Sequence, residues 1–137
     1  AGKATHGIAA KICNNLMLGI HMICTSEAFN LAEGLGLSPK KLYEISSVSS
    51  GYSWSLNIYC PAPGVLPQSP ANNGYKPGFT ANMMLKDLKL AVTAAEDAQI
   101  PVPMTANAKE IYQAFCETEG QLDFSAIICY LKSLGLK

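Results

Sequence analysis

The chain predicts an all-α fold, a multi-helix domain with one long N-terminal helix, and three observations carry that reading. Apolar residues recur at helical spacing in four segments, Ser38, Thr80 and Asp123 stand at the heads of three of them as caps, and no segment alternates as a half-buried strand does. With 137 residues, 49% of them hydrophobic and 15% charged, there is material for one core and one domain.

The first helix is predicted over residues 8–33, because only Gly19 interrupts it and a helical glycine costs about 1 kcal/mol relative to alanine. Its middle is apolar nearly all round, which predicts burial on several sides, by its own domain or by a partner subunit. Gly34 and Gly36 end it. Ser38-Pro39 restarts the helix, with Leu42 and Ile45 on its apolar side. The run of small hydroxyl residues from Ser46 to Ser55 competes for backbone groups and predicts a break near Gly51, with a helical turn or two resuming through Tyr59. Residues 60–78 hold five prolines and three glycines and read as a long loop, either lining a site or making a surface excursion.

Thr80 caps a third helix to about Gln99, with Met84, Leu88, Ala91, Val92 and Ala95 at helical spacing. Pro101 and Pro103 open a fourth, whose face is Met104, Ala108, Ile111, Tyr112 and Phe115. Asp123 caps the last, with Phe124, Ile127, Ile128, Leu131 and Leu134 directed inward and Gly135 as the stop. The total is five or six helices, without repeats or low-complexity tracts.

Ten basic and ten acidic residues give a net charge of zero, which argues against nucleic acid or an anionic membrane surface as partner. The apolar run 16–24 is far shorter than the roughly 20 residues of a bilayer crossing, so it reads as core. Five cysteines without a CxxC pair read as free thiols in a reducing compartment, and His6 and His21 lie far from any paired cysteines, so no metal site is expected. Ala1 in place of a methionine suggests a mature or excised piece, with any targeting signal upstream.

Two clusters could carry chemistry. Lys11 and Asn15, four residues apart, project from one face of the first helix, with Asn14 about 100° away. An ammonium and an amide could there meet one substrate oxygen, the amide holding it and the lysine giving or taking a proton. The spacing equally allows Lys11 to reach solvent and the amides to bond locally. Lys86 and Asp87 stand near the start of the third helix, where a cation could meet an anionic cofactor; a plain solvated face fits the same spacing.

Three ordered motifs raise the site readings. They are G-x-A-A-K-x-x-N-N (Gly7 to Asn15), S-S-G-x-x-W-S (Ser49 to Ser55) and G-F-x-x-x-x-x-x-K-D-L-x-L-A (Gly78 to Ala91). Together, in this order and over nearly the whole chain, they resemble the C-terminal domain of the 3-hydroxyisobutyrate dehydrogenases, within the β-hydroxyacid dehydrogenase family. The lead Gly2-Lys-Ala-Thr-His-Gly7 departs from that family's glycine-rich pattern. The resemblance implies a fold like the C-terminal domain of 6-phosphogluconate dehydrogenase, so that residues 1–137 form a single substrate-binding and dimerisation domain. It implies an N-terminal Rossmann domain that binds NAD and is absent from this chain. The pair Gly34-Leu-Gly36 lacks the third glycine and the preceding strand of a dinucleotide fingerprint.

By the same resemblance Lys11 is the catalytic lysine and Asn15 positions substrate, with Asn14, Ser50 and Gly51 nearby, while Lys86 and Phe79 contact the cofactor. It implies oxidation of a small 3-hydroxy acid in valine catabolism, a homodimer or tetramer, and the mitochondrial matrix. A sister reductase acting on glyoxylate or succinic semialdehyde, and a non-catalytic helical dimerisation module, are the alternatives.

Overall fold

The computed structural model describes residues 3–135. Among them are six α-helices and no strand beyond an isolated bridge between Thr80 and Asp123. The helices are α1 (Lys3–Gly34), α2 (Pro39–Ser46), α3 (Trp54–Asn57), α4 (Ala81–Ala98), α5 (Pro103–Glu119) and α6 (Ile127–Ser133). Short 3₁₀ turns at Pro70–Asn73 and Phe124–Ala126 complete the order. The departure at the chain's start falls partly on Gly2, outside the described residues; Lys3 to Gly7 simply continue α1.

The predicted caps hold. Ser38 accepts from the Lys41 amide at 3.2 Å and Thr80 from the Met83 amide at 3.1 Å. Asp123 caps the 3₁₀ turn that leads into α6, accepting from the Ser125 amide at 3.0 Å. α4 closes on Gln99 in the left-handed region, φ 57°, instead of on a glycine. The loop 60–78 is tied down by Asn72, whose side chain accepts from the Gly64 amide at 2.7 Å and donates to the Leu66 carbonyl.

The core joins Met22 and Ile23 of α1 to Met84 and Leu88 of α4, Ala108, Tyr112 and Phe115 of α5, and Phe124 and Ile127. A smaller cluster under the long loop gathers Phe29, Leu56, Cys60, Ala62 and Ile128. Three residues placed on apolar faces are exposed, Met104 at 62%, Ile45 at 50% and Leu134 at 49%, because each sits near the end of its helix where no neighbour covers it. Cys13, Cys24 and Cys129 are exposed as well, so only Cys60 serves as a fully buried small hydrophobe.

α1 corrects the sequence reading most. Within this chain it buries one face, with Gly19, Met22, Ile23, Ser26 and Phe29 inward, while among the described residues ahead of Gly19 none is fully buried and Leu18 alone packs against the core. The physical reason is length: 32 residues span about 48 Å, more than α4, α5 and α6 cover. An 18-residue stretch of α1 with mean hydropathy 1.3 is long and apolar enough to cross a bilayer, and only 17% of it is buried.

Candidate functional site

Where α1 crosses α4 the side chains of α4 close onto the α1 backbone: a Cβ built on Gly19 would lie 3.0 Å from Leu88 Cδ2 and 3.2 Å from Met84 Cε. That contact fixes the helices against each other. One turn before Gly19 comes Asn15, and one residue before Leu88 comes Asp87; Asn15 Nδ2 donates to Asp87 Oδ2 at 2.8 Å. A carboxylate can only accept, so this bond sets the amide's orientation, with its Oδ1 turned toward Asn14, whose Nδ2 donates at 3.3 Å.

Lys11 lies one turn further out. With Ile8, Ile12, Asn15, Asp87 and Leu90 it lines an open cavity of about 220 Å³. No carboxylate is ion-paired with it among the described residues, where the three salt bridges involve Lys41, Lys109 and Lys132. The ammonium is therefore presented to a space large enough for a few heavy atoms, beside an amide already oriented.

Asn14 turns to the next arc of the helix. With Met17, Leu18, His21, Tyr52, Ser53 and Trp54 it lines a groove of about 570 Å³ between α1 and the start of α3. Around the helix axis Lys11 falls between Asn14 and Asn15, so the lysine stands between cavity and groove. Ser50 and Gly51 lie on an exposed turn just ahead of the groove wall and do not line it; a Cβ on Gly51 would meet Ser46 at an ordinary 3.7 Å.

The other two predicted residues sit apart from the Lys11 cavity. Lys86 is exposed, next to Asp87 in sequence, and does not line the cavity. Phe79 is half-buried, its ring edge-on to Phe124 with centroids 5.4 Å apart. Its backbone belongs to a different cluster. Fully buried Asp123 accepts at Oδ2 from Tyr59 Oη at 2.6 Å, the Gly78 amide at 3.0 Å and the Phe79 amide at 3.2 Å. At Oδ1 it takes the Ser125 amide and hydroxyl. A side chain on Gly78 would come within 2.8 Å of Tyr59 Oη, so the glycine of the G-F motif keeps the backbone within reach of the carboxylate. Burial, then the Asp123 bond and charge, push the Tyr59 phenol well above its ordinary range and keep it a donor. Trp54 stacks on Tyr59 at 5.0 Å and 20°. Asp123 thus holds the wall of the Trp54 groove in place.

Sequence reasoning missed two partners. Asp87 was in plain view beside Lys86, yet the signal for its role is a contact 72 residues long. Asp123 was read as a cap, and its three longer-range donors come from residues 44 to 64 positions away.

Comparison with known proteins now bears on this geometry. Residues 5–131 match the family described as the NAD-binding domain of NADP-dependent 3-hydroxyisobutyrate dehydrogenase. The chain belongs to this family. It is 48% identical over 131 residues to a 3-hydroxyisobutyrate dehydrogenase of Pseudomonas aeruginosa, covering 93% of this chain and 44% of that protein. It is 43% identical over 132 residues to a mitochondrial 3-hydroxyisobutyrate dehydrogenase of Bos taurus, covering 96% of this chain and 39% of that protein. A solved structure of the Mycobacterium tuberculosis 3-hydroxyisobutyrate dehydrogenase with L-serine superposes with a TM-score of 0.88 at 44% identity, over 90% of this chain and 42% of that one. The chain spans somewhat less than half the length of these relatives. The family is one of nicotinamide-dependent dehydrogenases, and the helical architecture here is the one its members share.

Proposed function

We propose that this chain is the substrate-binding and dimerisation part of a dehydrogenase that oxidises 3-hydroxyisobutyrate to methylmalonate semialdehyde, in valine breakdown. NAD is the cofactor, held mainly by a Rossmann domain outside this chain. The observation that carries the reading is the free Lys11 ammonium beside an amide that Asp87 has already oriented, on a family member whose relatives are named for this oxidation.

The residues fit such a group: the cavity wall is apolar through Ile8, Ile12 and Leu90, and Lys86, exposed on α4 next to Asp87 in sequence, is a cation that could meet the cofactor's phosphates or ribose. The bound nicotinamide supplies the hydride acceptor. As hydride leaves the alcohol carbon the hydroxyl must lose its proton, which Lys11 takes as the neutral amine, becoming the ammonium; in the reverse direction the ammonium donates it back. A lysine beside the developing alkoxide stabilises charge that exists only in the transition state, which is where stabilisation raises the rate. Asn15 holds the substrate oxygen and Asn14 faces the remainder of the substrate from the groove, while Ser50 and Gly51, which do not line the groove, reach the substrate only if their turn moves toward it. Phe79, which the resemblance sets near the nicotinamide, packs its ring edge-on to Phe124 and stands apart from the Lys11 cavity, so its part is to support the entry to α4.

The matrix location rests on likeness to the mitochondrial relatives; the bacterial relatives fit a bacterial source equally. The test is the absorbance of reduced nicotinamide with the complete protein, NAD and 3-hydroxyisobutyrate, for wild type and Lys11→Ala. Activity lost with the lysine supports substrate and residue together. Equal activity in both removes Lys11 from the chemistry and favours a helical association module. Activity only with glyoxylate or succinic semialdehyde, in the reducing direction, moves the substrate assignment to the sister reductases.

A further inference from the structure

We infer that the cavity under the proline-rich loop, at the C-terminal end of α1, is a binding site for a zwitterionic α-amino acid with an aliphatic side chain. Asn30 on its wall stands 19 residues beyond Lys11, about 28 Å along α1. The site stands on its own geometry and does not rest on the oxidation proposed above. It encloses about 200 Å³ over a floor of Phe29, Ala62 and Ile128, all buried.

Two helices build it by the same four-residue step. On α1 Phe29 is followed one turn later by Glu33, and on α6 Ile128 is followed one turn later by Lys132. Asn30 Nδ2 donates to the Ile128 carbonyl at 3.1 Å and Lys132 Nζ donates to both Glu33 carboxylate oxygens at 2.8 Å, so the helices run side by side in one direction. Each therefore sets an apolar residue deep and a charge at the lip, the two charges opposite in sign. The third wall is the loop. Tyr75 Oη donates to the Pro61 carbonyl at 2.8 Å, and Tyr75 itself sits in the left-handed region, φ 56°. Its amide donates to the Pro70 carbonyl and its carbonyl accepts from the Asp123 amide, so the strained residue is held from both sides. A wall fixed in this way keeps the cavity formed before any ligand arrives.

The lip carries both charges. Lys132 and Glu33 are 54% and 55% exposed, and an ion pair so open to water contributes little, so a ligand can part it at small cost. The ligand's carboxylate then meets Lys132, its ammonium meets Glu33, and four alternating charges replace two. Asn30 adds an acceptor, since its nitrogen is committed to the Ile128 carbonyl and Oδ1 is left for the ammonium. A lone carboxylate would gain Lys132 but face Glu33, and a lone amine the reverse, so the lip disfavours both. Size sets the side chain. An apolar cavity of about 150 Å³ takes a six-carbon ring, so this one takes a molecule of about nine heavy atoms, the size of leucine.

The test uses the complete protein and L-leucine. Cys129 is exposed and lines the cavity, so the ratio of its maleimide reaction rates without and with ligand reports occupancy, with Cys13 and Cys24 as internal controls. L-leucine at about ten times its Kd should slow Cys129 about tenfold and leave the other two unchanged. 4-Methylpentanoate, which lacks the ammonium, and 3-methylbutylamine, which lacks the carboxylate, should each bind at least about tenfold more weakly. Lys132→Ala and Glu33→Ala should weaken L-leucine by a similar factor, and Lys11→Ala should leave its binding as in wild type. Protection undiminished in Lys132→Ala, or 4-methylpentanoate matching L-leucine, would overturn the zwitterion reading. A Cys129 that L-leucine does not slow, or that resists maleimide throughout, would overturn the site, the second by showing that the rest of the protein covers it. Protection lost in Lys11→Ala alone would move L-leucine to the Lys11 cavity and overturn it equally. None of these outcomes touches the dehydrogenase reading, which is judged by turnover.

Discussion

Asp87 and Asp123 are both carboxylates that tie distant parts of the chain together, and they differ in how much of their bonding capacity the fold uses. Asp123 is wholly buried and takes five hydrogen bonds from Tyr59, Gly78, Phe79 and Ser125. Asp87 is half-buried on a cavity wall and takes one side-chain bond, from Asn15. A saturated, dry carboxylate organises structure; an open one that orients a second polar group beside an unpaired lysine has bonding capacity left over, which the proposed function gives to a ligand.

Four measurements press on that contrast. Lys11→Ala in the complete protein should lower turnover by about 10²- to 10⁴-fold, the usual range for a positioned proton-transfer group, with the melting temperature unmoved. Asp123→Ala should do the opposite, costing about 4 kcal/mol or more in urea unfolding because several buried donors lose their acceptor at once. A loss below about 1 kcal/mol would show that water or backbone replaces the carboxylate, and the contrast would fail.

The alkaline side tests the buried interior, where Tyr75, Tyr112 and Cys116 are raised by burial as well. Burial pushes the Cys60 thiol up to about 11, and burial with Asp123 holds the Tyr59 phenol above its usual range. In both cases the folded state holds its proton more tightly than the unfolded chain does. The stability this contributes is complete below pH 9 and is lost as pH rises through 9 to 11 for Cys60, and from 10 upward for Tyr59. Urea midpoints across that window should fall, and Cys60→Ala should remove up to about 1.4 kcal/mol per pH unit of the slope. The smallest effect is Asp87→Asn, which replaces a charged acceptor by a neutral one. About 1.4 kcal/mol, or tenfold in turnover, is expected, with stability little changed. A change in stability larger than the change in turnover would place Asp87 with Asp123.

The helices were legible from sequence because caps and periodicity are local: Ser38, Thr80 and Asp123 cap where their residue types predicted. The face that α1 buries was not, since its middle is apolar all round and only the lengths of α4 to α6 decide which turns are covered. Lys11 and Asn15 were legible as a pair because four residues make one turn. Asn14 was placed beside them by the same logic but lines a separate groove, since 100° of rotation is enough to change walls. Partners 44 to 72 residues apart leave no local trace.

The five bonds at Asp123 also bear on the order in which the chain assembles. α4 and α5 are neighbours in sequence and can pair early, whereas Tyr59, Gly78 and Phe79 reach Asp123 only after loops of 64, 45 and 44 residues have closed. Closure of that knot is therefore a late step, and once closed it locks the whole span from α3 to α6 into one cooperative unit. The Gly78 and Phe79 amides should exchange their hydrogens only when the entire domain opens, while amides in the first turns of α1 exchange through local fraying.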